Sequence, residues 1–261
     1  MPFVLRTLFL FTALTFAAEN VRALTLDWDA TAWTPGTLTN SYDIDPNSPG
    51  NDVTVTISGN TNRLTTDPTT GAQTPAITNS LEGGTSPVQS SLHLAADLHT
   101  NDTITVTVTF SAQYLLGVEG VSFKIFDIDT ETNADEIHNI SATTFGTGVP
   151  VAGNVTNAGS AVNVTGLGLT QVLIGNADSP NTGVNSSNGN VTIDFGSAVI
   201  SSFTFTFQNT PGAPRIQQIG LFDINFSPVP EMNPALMTIC SCAGAAGFIL
   251  FQRARIRRSK R

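Results

Sequence analysis

A run of acidic and amide side chains near the middle of the chain is the first candidate for a functional site in this sequence. It comprises Asp127, Asp129, Glu131, Asn133 and Asp135, at every second residue. Hard oxygen ligands at this density are typical of Ca²⁺ sites. The run is not an EF-hand loop, because its sixth position is Thr and its twelfth is His, where an EF-hand has Gly and Glu.

A second stretch, Gly220–Phe226, repeats the pattern of a dense apolar strand that runs into a carboxylate, here Asp223. If the two stretches lie side by side, Asp223 completes a site with Asp127, Asp129 and Asp135. We therefore predict these four carboxylates as the ligands of a Ca²⁺ ion. The alternative is a solvated acidic loop that keeps a β-rich surface soluble.

The element that must position the acids is a strand over Val121–Asp129. If this strand stays regular to its end, Asp127 and Asp129 share a buried face with Phe123 and Ile125. A carboxylate on a buried face is costly unless a cation or hydrogen-bond donors satisfy it. Either the strand ends early and the acids reach solvent, or the acids hold a metal.

Other stretches alternate between apolar and polar residues with the period of a β-strand. The clearest is Thr103–Phe110, where apolar residues point one way and threonines point toward water. Strands are also predicted at Leu24–Trp28, Asp52–Ser58, Ser91–Leu94, Glu136–Thr143, Ala161–Thr165, Gln171–Ile174, Val191–Phe195 and Ser202–Phe207. Many short strands with frequent turns and no helical period predict an all-β fold, an antiparallel β-sandwich of jelly-roll type.

The alternation does not decide the roles of two other features of this domain. The segment Gly59–Gln89 is rich in Pro and Gly and long for a connection, so it is either a functional loop or a decorated edge. Trp28 and Trp33, the only tryptophans, are predicted to pack in the core or at its rim rather than to form a sugar-stacking platform.

Charge is distributed very unevenly over the 261 residues, whose formal net charge is −9. Between Leu24 and Pro230 there are only three basic residues, Arg63, Lys124 and Arg215, against eighteen acidic ones, a formal charge of −15. Such a domain repels phosphate backbones, so nucleic acid is not expected as a partner. Cations and neutral polysaccharide are the more plausible partners.

Familiar catalytic motifs are absent from the sequence. It contains no Gly-x-Ser-x-Gly, no His-Glu-x-x-His and no phosphate-binding glycine loop, and its three histidines are scattered. Two carboxylates suffice for glycoside hydrolysis, so a secreted carbohydrate-active enzyme, hydrolase or lyase, is the alternative function. We predict a protein that is not an enzyme.

Both ends of the chain look like targeting signals. Residues 1–23 combine Arg6 with a short apolar core and small residues before Ala23, which predicts a secretory signal peptide; cleavage after Ala18 and an uncleaved anchor are the alternatives. Residues 24–227 form the exported domain. Residues 228–261 form a tail with a Pro-rich connector, an apolar stretch at 235–251 long enough to span a membrane, and a basic end at 252–261.

The tail resembles the PEP-CTERM sorting signal of Gram-negative bacteria. Pro230 and Glu231 match the opening of that motif, and Met232 stands where the family most often has a second Pro, so the match is to a variant form. The body is similar, more loosely, to ectodomains that precede this tail, through Phe123–Asp129 and Ile219–Ile224. The resemblance implies export through the inner membrane, processing by an exosortase, and release to the cell surface or extracellular matrix.

It further implies a structural or adhesive protein associated with exopolysaccharide and biofilm. With the acid run, this gives a calcium-supported surface module as the predicted function. A plain membrane protein whose tail stays attached is a third hypothesis.

Overall fold

The structure is a computed structural model, and it describes residues 22–47, 49–130, 133–177, 183, 185–210 and 215–230. In these residues the chain forms two short 3₁₀ helices, Thr61–Arg63 and Gly168–Thr170, and sixteen strands. The strands are β1 Leu24–Leu26, β2 Thr39–Tyr42, β3 Val53–Gly59, β4 Ala76–Thr78, β5 Ser91–Leu98, β6 Ile104–Phe110, β7 Val118–Phe126, β8 Asp135–Thr144, β9 Pro150–Ala152, β10 Asn154–Ala158, β11 Val162–Thr165, β12 Val172–Gly175, β13 Val191–Asp194, β14 Ile200–Asn209, β15 Arg215–Leu221 and β16 Ile224–Pro228.

All pairings between these strands are antiparallel, and they join the strands into one continuous curled sheet. The prediction of an all-β antiparallel fold is confirmed, and the finer jelly-roll arrangement stays a prediction. The predicted membrane helix at 235–251 and all but the last two residues of the predicted signal peptide lie outside the described residues. Neither helix in the described part of the chain is long and apolar enough to cross a membrane.

Alternating sequence builds the core from one face of each strand. In β3 and β6 the apolar residues are buried while the threonines between them are half-buried or exposed. Across the core, the Phe123 ring of β7 stacks on Phe203 of β14 with 4.5 Å between ring centroids and 9° between ring planes. Phe205 stacks on the same ring at 5.9 Å. Burial of these aromatic faces is the main favourable contribution to folding.

Both tryptophans are part of this interior. Trp28 is 1% exposed, and its ring meets Tyr42 edge to face at 5.9 Å between centroids. Trp33 is also buried and donates its indole N–H to the carbonyl of Thr37 at 3.1 Å. The prediction that they pack in the core is confirmed, and no sugar ring can stack on their faces.

Two predicted strands are interrupted where they meet acidic residues. β7 ends at Phe126, three residues before the predicted end, because Asp127 adopts a left-handed conformation with φ of 65°. Asp and Asn tolerate this region better than other side chains that carry a Cβ. The stretch Gly220–Phe226 is likewise split into β15 and β16 by Phe222 and Asp223.

The long segment between β3 and β5 has a structural task. β5 is buried on both faces, with Leu92 and Leu94 in the core and His93 and Ala95 facing the opposite way. The segment covers that second face: the Thr74 hydroxyl donates to the carbonyl of Ala95 at 2.9 Å. The segment could be a functional loop or additional structure on the edge of the sheet, and the structure favours the second interpretation.

Candidate functional site

The predicted calcium ligands Asp129 and Asp135 lie close together, Asp129 shortly after the end of β7 and Asp135 at the first position of β8. The Asp135 amide donates to the Asp129 carbonyl at 2.9 Å, and the Asp129 amide donates to the Asp135 carboxylate at 3.3 Å. Both side chains are buried, 7% and 3% exposed, whereas Asp127 at the start of the loop is half-buried. The strand therefore ends early, but these two carboxylates do not turn to solvent as that alternative expected.

Neighbouring strands hold this loop in place. Gln217 of β15 donates its side-chain amide to the carbonyl of Asn133 at 2.8 Å. Gly175, the last residue of β12, lies directly against the backbone carbonyl of Asp129. Asn133 and Asp129 are thus each contacted by a neighbouring strand. Glu131, the third residue of the run, lies outside the described residues.

Asp223 stands at the break between β15 and β16, where it meets the loop that follows β1. Its carboxylate accepts the backbone N–H of Trp28 at 3.0 Å. Burial raises the pKa of Asp223 to about 6, with a further rise from Asp27 and Asp29, while the nearby Lys124 acts in the opposite direction. The described residues contain no group of three or more His, Cys, Asp or Glu side chains arranged to hold a metal ion. The four-ligand calcium site stays a prediction.

Of the predicted sorting motif, only Pro230 is described. It is the last described residue and its side chain is exposed. Glu231 and the tail beyond it lie outside the described residues.

A polar cluster formed by Asp67, Ser80 and His93 was not predicted from the sequence. The Ser80 hydroxyl donates to the Asp67 carboxylate at 2.7 Å, and the His93 ring nitrogen Nδ1 lies 3.3 Å from the same carboxylate oxygen. Residues of these three types build nucleophilic triads, but Asp67 and His93 are enclosed and no substrate can reach them. The cluster fastens the segment between β3 and β5 onto the outer face of β5.

A set of hydroxyl side chains, the hydroxyl face, is aligned across one side of the sheet. It lies on the outer side of five neighbouring strands in the order β2, β3, β6, β14 and β8. The residues are Thr39, Ser41, Thr54, Thr56, Ser58, Thr105, Thr107, Thr109, Ser141, Thr143, Ser202, Thr204 and Thr206. All are half-buried or exposed except Thr206. The sequence predicted threonines facing water on β3 and β6, but not their alignment with three other strands.

Strand register arranges these hydroxyls in rows. The first row runs Thr39, Thr56, Thr107, Thr204 and Ser141, each the direct partner of the next. The second runs Ser41, Thr54, Thr109, Ser202 and Thr143. Neighbouring strands stand about 4.8 Å apart, so each row is a ladder of that spacing. No charged side chain interrupts either row.

A polar cleft of about 440 Å³ opens elsewhere on the molecule, the Lys124 cleft. Lys124 and Thr192 are direct partners on β7 and β13, and Asn157 is the partner of Thr192 on β10. The walls are two loops, one with Gly83 and Gly84 and the other with Ser187, Asn188 and Asn190. The lining of the cleft thus combines one lysine with amide and hydroxyl side chains.

A scan against protein-family models, a search of curated proteins and a search of solved structures found no match.

Proposed function

We propose that this protein is an exported cell-surface module that adheres to polysaccharide through its hydroxyl face. The observation that carries the proposal is the alignment of two uncharged Ser/Thr rows across five strands. Export, exosortase processing at the Pro230–Glu231 motif and a place at the cell surface or in the biofilm matrix rest on the sequence of the two ends. A jelly-roll sandwich is the arrangement we propose for the sheet, supported by the packing of β7 on β14 across the core.

Hydroxyl rows suit a neutral glycan for three physical reasons. Their spacing of about 4.8 Å is close to the length of one sugar residue in an extended chain, so successive sugars can meet successive strands. Each hydroxyl offers one donor and two acceptor positions. Pairs such as Ser41–Thr54, at 2.8 Å, therefore keep capacity for a ligand. An uncharged face also avoids the cost of stripping water from ions when a polymer covers it.

Adhesion of the full-length protein in detergent to insoluble cellulose and to an insoluble β-1,3-glucan tests this proposal. The variant Thr56→Val with Thr107→Val removes two adjacent hydroxyls of the first row and keeps the side-chain shape. Each lost hydrogen bond is worth about 0.5–1.5 kcal/mol, so we expect roughly tenfold weaker binding. The matched control is Thr156→Val with Thr165→Val, two exposed threonines on β10 and β11.

The control pair should bind as the unaltered protein does. Equal losses in the two pairs, or an unaltered protein that binds neither glycan, would rule out adhesion through the hydroxyl face.

The sorting step has its own test in a host that makes an exosortase. Mass spectrometry of the surface protein should find a chain that lacks the basic end, Arg253–Arg261, because the tail is removed during processing. The variant Glu231→Ala should keep that end attached. A chain that retains Arg253–Arg261 without any substitution would support the plain membrane protein instead.

A further inference from the structure

The two glycines in the wall of the Lys124 cleft are closely packed against other parts of the chain. A Cβ at Gly83 would lie 2.6 Å from the Phe126 ring, and a Cβ at Gly84 would lie 2.9 Å from the carbonyl oxygen of Asn185. Both glycines also have left-handed φ values, 56° and 67°. The Asn190 side chain ties the two walls together, since its amide donates to the carbonyl of Gly83 at 2.7 Å. The cleft is therefore a built feature of the fold.

Its cation stands out in a domain with so few basic residues. Arg63 is engaged by Asp102, with 2.7 Å between guanidinium nitrogen and carboxylate oxygen. The ammonium of Lys124 lies 5.7 Å from the centre of the Phe222 ring and has no carboxylate of the described residues within 4.0 Å. The Lys124 side chain is exposed and acts on the Asp223 carboxylate only at longer range, so its ammonium is not held in a close ion pair and can turn to a ligand in the cleft.

We infer that the Lys124 cleft binds a single uronate residue of an acidic polysaccharide. The ammonium would take the carboxylate in a charge-assisted hydrogen bond. The amides of Asn157 and Asn188 and the hydroxyls of Ser187 and Thr192 would take the sugar hydroxyls, because they offer both donors and acceptors. The acidic domain repels any polyanion, so the one ammonium is expected to hold one uronate and not a run of charges. A nucleic acid does not fit, since its binding needs several cations against successive phosphates.

This inference rests on the proposed function only in taking polysaccharide as the partner, because the cleft and the hydroxyl face share no residue. Calorimetric titration of the full-length protein in detergent tests it with three probes: tetragalacturonate, its methyl ester and inorganic phosphate. EDTA is present throughout so that calcium cannot bridge carboxylates. We expect tetragalacturonate to bind, and the ester, which lacks only the charges, to bind at least about tenfold more weakly.

The variant Lys124→Gln should weaken tetragalacturonate binding by about the same factor, and Lys124→Arg should retain most of it. Unchanged thermal melts show that the variants fold. No binding by the unaltered protein, equal affinity for the ester, or an unaffected Lys124→Gln variant would each overturn the uronate site. If phosphate binds as tightly as tetragalacturonate, the cleft is a general anion site, and the proposal of a uronate site is overturned.

The two glycan proposals fail separately. Thr56→Val with Thr107→Val should leave tetragalacturonate affinity unchanged, and Lys124→Gln should leave adhesion to neutral glucans unchanged. A protein that binds tetragalacturonate but no neutral glucan would refute the hydroxyl face alone.

Discussion

Asp67, Ser80 and His93 meet beneath the segment between β3 and β5, where burial decides which protonation state is stable. Burial lowers the pKa of His93 although the Asp67 carboxylate opposes the shift. Burial alone would raise the pKa of Asp67, but hydrogen bonds from Ser80, Thr69 and Thr70 outweigh it and hold this pKa well below its usual range. The folded protein therefore keeps a neutral imidazole beside an ionised carboxylate.

The free energy of unfolding should fall as the solution is acidified. Below about pH 6.5 the unfolded chain protonates His93 more readily than the folded protein does, so the unfolded state gains protons and stability decreases. Asp67 adds a second loss as the pH approaches 4 and falls further, because the unfolded carboxylate takes up a proton first. Urea unfolding between pH 8 and pH 4 measures this free energy.

In the variant His93→Gln the loss between pH 6.5 and pH 5 should shrink, although the variant is less stable at neutral pH. The urea dependence of the unfolding free energy should match in the two proteins, which checks that the denatured states are comparable. An undiminished loss in the variant would assign the acid sensitivity to other groups.

Asp223 has the opposite effect on how stability depends on pH. Its pKa is raised to about 6, so the fold disfavours its ionised form, and this penalty is present above pH 6 and absent below pH 4. The variant Asp223→Asn keeps an oxygen acceptor for the backbone N–H of Trp28 and removes the charge. In EDTA, its melting temperature should exceed that of the unaltered protein by about 2–4 °C per kcal/mol gained at pH 8.

The same comparison at pH 4.5 should show a much smaller gain, because Asp223 is then mostly protonated in the folded protein. An equal gain at both pH values would mean that the charge of Asp223 is not what costs stability.

At the scale of elements, alternation located the strands but not their ends. The alternation of apolar and polar residues directly predicts β3, β6 and β14. The end of β7 could not be predicted, because the left-handed conformation of Asp127 belongs to a loop held by other strands. The buried outer face of β5 was missed because a strand that is covered on both sides shows no alternation.

Gly175 provides a prediction about how β12 meets the loop between β7 and β8. A Cβ on Gly175 has no room beside the backbone carbonyl of Asp129, and the backbone cannot swing aside as a flexible side chain could. We expect Gly175→Ala to lower the free energy of unfolding by about 1–3 kcal/mol. Urea unfolding measures the loss.

Gly183→Ala is the matched control, because that residue is exposed and the nearest atom to its Cβ would be a side-chain oxygen of Asn185 at 3.3 Å. Its effect should stay within about 0.5 kcal/mol. Equal effects of the two substitutions would mean that the contact of Gly175 with the loop is unimportant.

At the scale of the whole molecule, the candidate sites arise from strand order, which the sequence does not display. Alternation alone was enough to assign the threonines of β3 and β6 to the solvent-facing side of the sheet. Their alignment with Thr204 and Ser141 depends on β14 lying between β6 and β8, strands far apart in sequence. The Lys124 cleft likewise needs two distant loops to meet over β7 and β13. The acidic composition was visible from the start, but where the fold leaves an uncharged surface was not.

The remaining proposal is that calcium binds the folded protein and stabilises the whole domain. An ion would act on Asp129 and Asp135, two buried carboxylates linked by a hydrogen bond between the end of β7 and the start of β8. An ion that binds only the folded state, at one hundred times its Kd, stabilises that state by about 2.7 kcal/mol. For a domain of this size this corresponds to a melting temperature higher by roughly 5–10 °C.

We therefore expect the full-length protein in detergent to melt at a higher temperature in calcium than in EDTA. The difference should disappear in Asp129→Asn or Asp135→Asn, which keep the shape and lose the charge, and persist in Asp43→Asn, an exposed carboxylate on another loop. Identical melts of the unaltered protein in calcium and EDTA would mean that the loop between β7 and β8 is held by its own hydrogen bonds. Gln217 and the backbone bonds between Asp129 and Asp135 would then be what keeps these carboxylates in place.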